Sequence, residues 1–470
     1  MTMLLFGPEL YYLGLAFVIF LLSLRRTPKV QQDYHLTLVL AGLGFLVAVM
    51  CLGQKGDLFF KAYRVDLFSQ IFKAALALGL FLVLMISRNL ASIEERFRAE
   101  FYLFLTTCTL GMMMLVSSVE LLTIYVALEL SSYSLYILVP LRKGDGIDVE
   151  AGIKYLFIGA VSSGFMLFGL SYLFGATHST YLADIIHNMP QLLASPIGLM
   201  GLTLAMAGFF FKLSVFPFHF WAPDVYQGGA NQVVTFIATA SKAVAVALLL
   251  RLAALGAGYG YSFTQVLMVL SIISMTLGNL VAIIQRDFKR MLAYSSIAHA
   301  GYVLMGVISM QETGFTSAVY YALAYLVMNF TVFMVISEVA SDGRDLKIAE
   351  LAGLWRRSPL LSMSLILGIF ALAGVPPSIG FTGKLLLFTS AMNSGFFWLV
   401  LIGAVNGTLS LYYYLKVVYA AYFVESDLPP IELSWPTRIL NYALCATILV
   451  FGVAPNSIIE LARAAVKSVL

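Results

Sequence analysis

Fourteen long apolar runs separated by short polar connections constrain this 470-residue chain more than any other feature. They cover approximately residues 10–24, 36–52, 67–87, 101–118, 121–141, 153–176, 197–215 and 233–254, then 263–284, 294–310, 315–337, 360–390, 396–423 and 440–461. A helix needs about 20 apolar residues to cross a bilayer, and most of these runs approach or exceed that length. No ten-residue alternation of the kind a membrane barrel requires is present. Composition agrees: 61% of residues are hydrophobic and only 11% charged, where a soluble domain carries about 25% charged residues. So little polar surface cannot cover a water-soluble enzyme of this size. Disorder, a coiled coil and a collagen-like chain fall on the same numbers. The expectation is an all-α polytopic membrane protein of about fourteen transmembrane helices. Residues 1–470 form a single integral membrane domain, with the lipid bilayer as its first partner.

The net charge of +4 is too small to imply a nucleic-acid partner. Cys51, Cys108 and Cys445 lie far apart in or beside apolar runs, so they read as packing residues, not a disulfide framework or a metal site. Arg25 and Arg26 follow the first run without a small-residue cleavage site, which predicts a retained span. Sorting the cations gives the orientation. Connections after odd-numbered spans hold sixteen Lys and Arg residues, whereas the termini and the remaining connections hold five. The positive-inside rule then places the first set in the cytoplasm, or its organellar equivalent, and both termini outside; a bacterial inner membrane is the expected location.

Seven of the 28 cations remain, all within apolar windows: Lys73, Lys154, Lys212, Lys242, Arg251, Lys384 and Lys416. A lysine at the centre of a span costs about 2.5–3.5 kcal/mol on insertion, so such residues usually face a polar interior and serve a function. Lys154 and Arg251 stand near span ends, where both can snorkel to the headgroups. Lys73 is ambiguous in the same way, and Lys212 stands near an inner end. Lys242, nine residues inside its window, cannot snorkel. Among the acids, Glu129 is the one near the middle of a span, while Glu120 and Glu338 fall at window edges where solvation accounts for them. A buried Glu must be neutral, paired or in contact with water.

Helix breakers accompany two of these lysines. Lys212 precedes Ser214 and Pro217, and Gly374, Pro376, Pro377, Gly380 and Gly383 precede Lys384. Interrupted helices at corresponding positions of two halves point to a transport site; a plain proline kink is the alternative. Spacing supports a match. Glu129 to Lys212 spans 83 residues and His299 to Lys384 spans 85, while Lys212 to Lys242 spans 30 and Lys384 to Lys416 spans 32. The units lie five spans apart, an odd number, so the expected repeats, approximately 101–255 and 263–423, are inverted in the membrane. This puts His299, with Ser295 and Ser296 beside it, where the first repeat has Glu129. Titratable groups spaced over two half-channels suit proton movement, because a desolvated lysine can shed its charge and a neighbouring anion reverses that tendency.

These segments resemble the antiporter-like membrane subunits of respiratory complex I. The resemblance rests on the run from Phe211-Lys212 through Pro217, His219, Trp221, Pro223 and Asp224 to Gly228. It rests also on Lys289-Arg290-Met291-Leu292-Ala293-Tyr294-Ser295-Ser296-Ile297-Ala298-His299 and on Gly380-Phe381-Thr382-Gly383-Lys384. One departure is Gly229-Ala230-Asn231-Gln232, where relatives usually show an Ala-Pro-x-Pro run. The resemblance implies a proton-translocating subunit with Glu129 and Lys212 as the pair of the first half-channel. Lys242 would be the central relay with His299 beside it, Lys384 the exit-side lysine and Lys154 the intake-side one. Lys416 enters the set through its spacing. The chain would carry no cofactor, and partner membrane subunits would bind the quinone and NADH. A subunit of a multisubunit cation/proton antiporter or of a membrane-bound hydrogenase is the alternative, and a self-contained secondary transporter a third.

Overall fold

The computed structural model describes residues 2–25, 27, 29–143, 146–255 and 261–470. Arg26, one of the cations used for orientation, lies outside the described residues.

The described chain is an all-helical bundle. Twelve helices are long and apolar enough to cross a membrane. With the shorter α1 (Gly7–Ser23), and counting one helix that is broken in its middle, they give fourteen spans in chain order. The others of the first half are α2 (Val30–Met50), α3 (Leu67–Arg88), α4 (Glu95–Ser117), α5 (Leu121–Leu141) and α6 (Ile147–Thr177). The seventh is interrupted: α7a (Pro196–Leu213) is followed, after a seven-residue break, by the short α7b (Trp221–Gly228). Then come α8 (Asn231–Ala253), α9 (Thr264–Ile284), α10 (Phe288–Ile308) and α11 (Glu312–Val339). The twelfth is interrupted too, as α12a (Pro359–Ala373) and α12b (Ile379–Asn393). The bundle closes with α13 (Phe397–Phe423), α14 (Trp435–Val453) and an amphipathic end helix, α15 (Asn456–Lys467). A short hairpin, β1 (Gly56–Leu58) with β2 (Tyr63–Val65), joins α2 to α3.

Burial divides the helices as a bilayer demands. α8 is buried at every residue from Asn231 to Arg251, and α10 and α11 are nearly so. The outer helices turn large apolar side chains outward, among them Phe17, Phe157 and Tyr412, each at least 60% exposed. Such surfaces are costly in water and favourable against lipid tails. Where helices touch most closely, small residues permit it. A Cβ on Gly111 of α4 would stand 2.8 Å from the Ser131 nitrogen of α5, and one on Gly301 of α10 would stand 2.7 Å from the Ser271 oxygen of α9.

Helix starts are capped by acids that the apolar windows left at their edges. Glu120 accepts from the Thr123 N–H at 2.7 Å and Asp287 from the Arg290 N–H at 2.8 Å, filling donors that a helix N-terminus leaves free. Solvation is therefore not what Glu120 is for. Burial alone would push its carboxyl up; hydrogen bonds from Thr180 and Thr123 more than offset that and hold it below the usual carboxylate range. Cys51, Cys108 and Cys445 are buried free thiols, as packing residues should be.

Candidate functional site

Both interrupted helices stop in the same way. In α7a, Ser214 adopts a left-handed backbone (φ 61°) and the Val215 N–H reaches back to the Phe210 carbonyl at 2.9 Å. In α12a, Gly374 does the same (φ 85°), with the Val375 N–H on the Phe370 carbonyl at 2.9 Å. This end motif satisfies part of the last turn and leaves other carbonyls to find partners elsewhere. Lysines supply them. Lys242 Nζ donates to the Leu213 carbonyl at 2.7 Å and to Ser214 Oγ at 2.6 Å. Lys384 Nζ donates to the Leu372 carbonyl at 2.9 Å and the Ala373 carbonyl at 2.8 Å. Each Nζ thus sits at the negative end of a half-helix inside the bundle, among acceptors that the break has freed. Left-handed glycine is required at position 374 for a second reason: a Cβ there would stand 2.8 Å from Lys384 Cδ. Gly374→Ala is accordingly expected to displace Lys384 and to lower the yield of folded protein; the added backbone cost is about 1–2 kcal/mol. Detergent-stable yield measures it.

Lys212 is 4% exposed although it stands at a helix end, because that end lies inside the bundle. Its Nζ donates to Ser131 Oγ at 2.6 Å. Glu129, two residues earlier on α5, accepts from Ser163 Oγ of α6. Glu129 and Lys212, expected as the pair of the first half-channel, are thus each bonded to a serine, Ser163 and Ser131, and form no ion pair within 4.0 Å. Lys242 follows a π-helical turn, Ile237–Ser241, a local rearrangement that frequently marks functional sites. Its ammonium lies 5.4 Å from the Trp221 ring centroid. On the other side a cavity of about 10 Å³ separates Lys242 from His299, Ser296 and Tyr325, the space one water needs. His299 Nδ1 meets the Tyr321 hydroxyl at 2.6 Å and Nε2 the Tyr414 hydroxyl at 3.1 Å, while Tyr414 also meets Ser295 Oγ at 2.5 Å. Tyr302 stands between His299 and Lys384: its ring is 5.9 Å from the imidazole and 5.0 Å from Lys384 Nζ.

The structure therefore brings Glu129, Lys212, Lys242, His299 and Lys384 into one buried interior and leaves two candidates outside it. Lys154 is 43% exposed and pairs with Glu150 at 2.7 Å and with Asp224 at 2.8 Å. Lys416 is exposed, its Nζ 3.3 Å from the Gln285 carbonyl, so the spacing that drew it into the set does not place it in the interior. Nor do Lys212 and Lys384 occupy equivalent places. Lys212 precedes its break and Lys384 follows its own; by geometry, Lys242 is the counterpart of Lys384.

Several charged residues outside the seven embedded cations complete the site. Asp224 of α7b accepts from Lys154 and from Arg290 Nη1 at 2.6 Å, tying the short half-helix to α6 and α10. At its end, Arg142 Nη1 donates to the Gln227 carbonyl at 2.9 Å and Lys289 Nζ to the Gly229 carbonyl at 3.0 Å, with Asp345 bridging both cations. Lys289, counted among the surface cations, is completely buried. Asp224→Ala is expected to lower assembled protein several-fold, since it leaves Arg290 without its carboxylate; Lys154→Ala, at a half-exposed site, should change it little. Quantitative blotting of membranes distinguishes the two.

The family profile described as NADH:quinone oxidoreductase/Mrp antiporter, TM, matches residues 118–410, which contain both breaks and all five interior titratable groups. The chain belongs to this NADH:quinone oxidoreductase/Mrp antiporter family. Within the family, NADH-quinone oxidoreductase subunit N 2 of Syntrophobacter fumaroxidans is 49% identical over 467 residues, covering 99% of each chain. A chain of respiratory complex I from Thermus thermophilus is 32% identical, with a TM-score of 0.84 over 97% of this chain and 99% of its own. A chain of the Mrp complex from a Dietzia species shares the fold, with a TM-score of 0.85 over 98% of this chain and 96% of its own, at 18% identity.

Proposed function

We propose that this chain is a proton-translocating, non-redox membrane subunit of a bacterial NADH-quinone oxidoreductase, coupled to quinone reduction in partner subunits. One observation carries the reading: Lys242 and Lys384 each cap the freed carbonyls of a broken helix, with His299 and its tyrosines between them. Identity favours this assignment over a cation/proton antiporter subunit, since it is far higher to the subunit N relative than to the Mrp chain.

The interior groups then act as follows. Lysine, unlike arginine, can release its proton when desolvated and regain it when a neighbouring charge changes. Loading of Lys212, held by Ser131 near Glu129, would favour transfer onward to Lys242. A water in the intervening cavity would bridge Lys242 and His299, and the imidazole would pass the proton toward Lys384 past Tyr302. Closed half-helix ends offer each ammonium a ready site, so no large motion is needed between steps. The two breaks, alike in their end motif, support inverted repeats over approximately 101–255 and 263–423. The positive-inside distribution supports termini on the outer side of the inner membrane.

Purification from native membranes tests the assignment. Copurification of quinone-reducing, NADH-oxidising subunits is expected; isolation with antiporter subunits alone would overturn it. Within such a complex, Glu129→Ala and Lys212→Ala should each lower proton translocation about tenfold or more, whereas Lys416→Ala should leave it within about twofold.

A further inference from the structure

A second buried titratable cluster lies on the face of the bundle opposite the Arg142–Lys289–Asp345 ion cluster. Glu9 of α1 and Lys73 of α3 form an ion pair at 2.7 Å with both side chains wholly inaccessible. The Tyr63 hydroxyl of β2 donates to the same carboxylate oxygen, Oε1, at 2.5 Å, and Lys73 Nζ stands 5.2 Å from the Tyr63 ring centroid. Glu9 Oε2 is buried with no hydrogen-bond partner, as are both polar atoms of Gln70 and the Tyr12 hydroxyl. These groups belong to this neighbourhood by position. Gln70 lies one turn from Lys73 on α3, and Tyr12 one turn from Glu9 on α1. Native proteins rarely leave so many buried polar atoms unpaired unless water or a functional ligand reaches them. Arg251 and Asp66 form a bidentate pair at 2.9 and 3.0 Å that locks α8 to α3 alongside, and Cys51 at the end of α2 is the remaining titratable neighbour.

The outer boundary of this cluster is the hairpin, whose Phe59 and Phe60 are exposed. The rings of Phe6, Phe59 and Tyr63 pack edge to face with centroids 5.4–6.0 Å apart. Above them the hairpin tip holds three successive non-glycine residues, Phe59, Phe60 and Lys61, in the left-handed region at φ 51°, 54° and 68°. Each costs of order 1 kcal/mol, and strain of this kind gathers at segments with a second conformation.

We propose that Glu9, Lys73 and Tyr63 form a proton-release station on the outer face, gated by the Phe59–Lys61 hairpin tip. In the resting state Lys73 is an ammonium and Glu9 a carboxylate. An arriving proton binds the free Oε2, giving a neutral carboxylic acid beside the ammonium. Opening of the tip admits outside water, which takes that proton and restores the ion pair. The inference rests on the proton-translocating reading above, and the test separates the two.

Proton uptake into inverted vesicles, per NADH oxidised, is measured for the whole complex with Glu9→Leu/Lys73→Met, Tyr63→Phe and Lys242→Ala chains. The double replacement removes both charges together and so avoids an unpaired buried ion. Assembly at the normal level with uptake lowered about tenfold or more supports the station. Normal uptake by the double variant overturns it. Should that variant fail to assemble, Tyr63→Phe decides, since it keeps the pair: reduced uptake supports the station and unchanged uptake overturns it. Loss of uptake in Lys242→Ala with normal uptake in the others overturns the station alone; normal uptake in Lys242→Ala overturns the wider reading.

Discussion

Replacing Lys242 by Ala is expected to leave the complex assembled and to lower proton translocation by about two orders of magnitude, the effect of removing a positioned proton carrier. Assembly should survive because the interior loses a charge, not a partner. Lys242 has no carboxylate beside it; its acceptors are the Leu213 carbonyl and Ser214 Oγ, and Ser214 lies at the helix break. A small side chain leaves room for water to take over those bonds, as the neighbouring cavity already has about 10 Å³ of space. Translocation should fail because Lys242 is the one lysine lining that cavity opposite His299, and the other titratable group there, Tyr325, is a phenol that holds no excess proton at neutral pH. Proton uptake by inverted vesicles, set against the amount of complex on a native gel, measures both expectations.

The second large effect concerns stability. Arg251 and Asp66 are both almost fully buried and bonded through two N–H···O contacts at 2.9 and 3.0 Å. Arg251→Met strands a buried carboxylate and is expected to destabilise the chain by about 3–5 kcal/mol, enough to empty the membrane of assembled complex. Combining Arg251→Met with Asp66→Asn should recover most of that loss. The amide is uncharged, and its oxygen can still accept from the Ser69 N–H that Asp66 now caps at 2.7 Å. The abundance of complex and the temperature at which it loses activity give the readout. An Arg251→Met level equal to the wild type would show that the pair contributes nothing.

Arg251 also shows where a reading of the chain alone stops. Its position near a span end allowed the side chain to reach the headgroups, and nothing in the local sequence identifies Asp66, 185 residues away, as its partner. Glu9 was hidden for a similar reason: the first apolar run starts at Leu10, so the acid looked like a flank, yet the helix begins at Gly7 and buries it. Lys416 erred in the opposite direction, because spacing reports distance along a helix and not the face on which a side chain lies. By contrast the spans, the two breaks and the burial of Lys242 were legible, since apolar runs, prolines and isolated charges each carry a large energetic signature. The hydroxyls that connect them, Ser131, Ser163, Tyr321 and Tyr414, carry none. Serine and tyrosine are ordinary residues in membrane helices until a partner is seen beside them.

The central claim is that Lys242 carries protons through this interior, as distinct from supplying a fixed positive charge. Lys242→Arg tests that difference directly, because arginine keeps the charge and the hydrogen-bond donors but scarcely releases a proton. Proton uptake per NADH oxidised should fall in Lys242→Arg as far as in Lys242→Ala, with Lys416→Arg unchanged in the same assay. Wild-type uptake by the assembled Lys242→Arg complex would contradict the account.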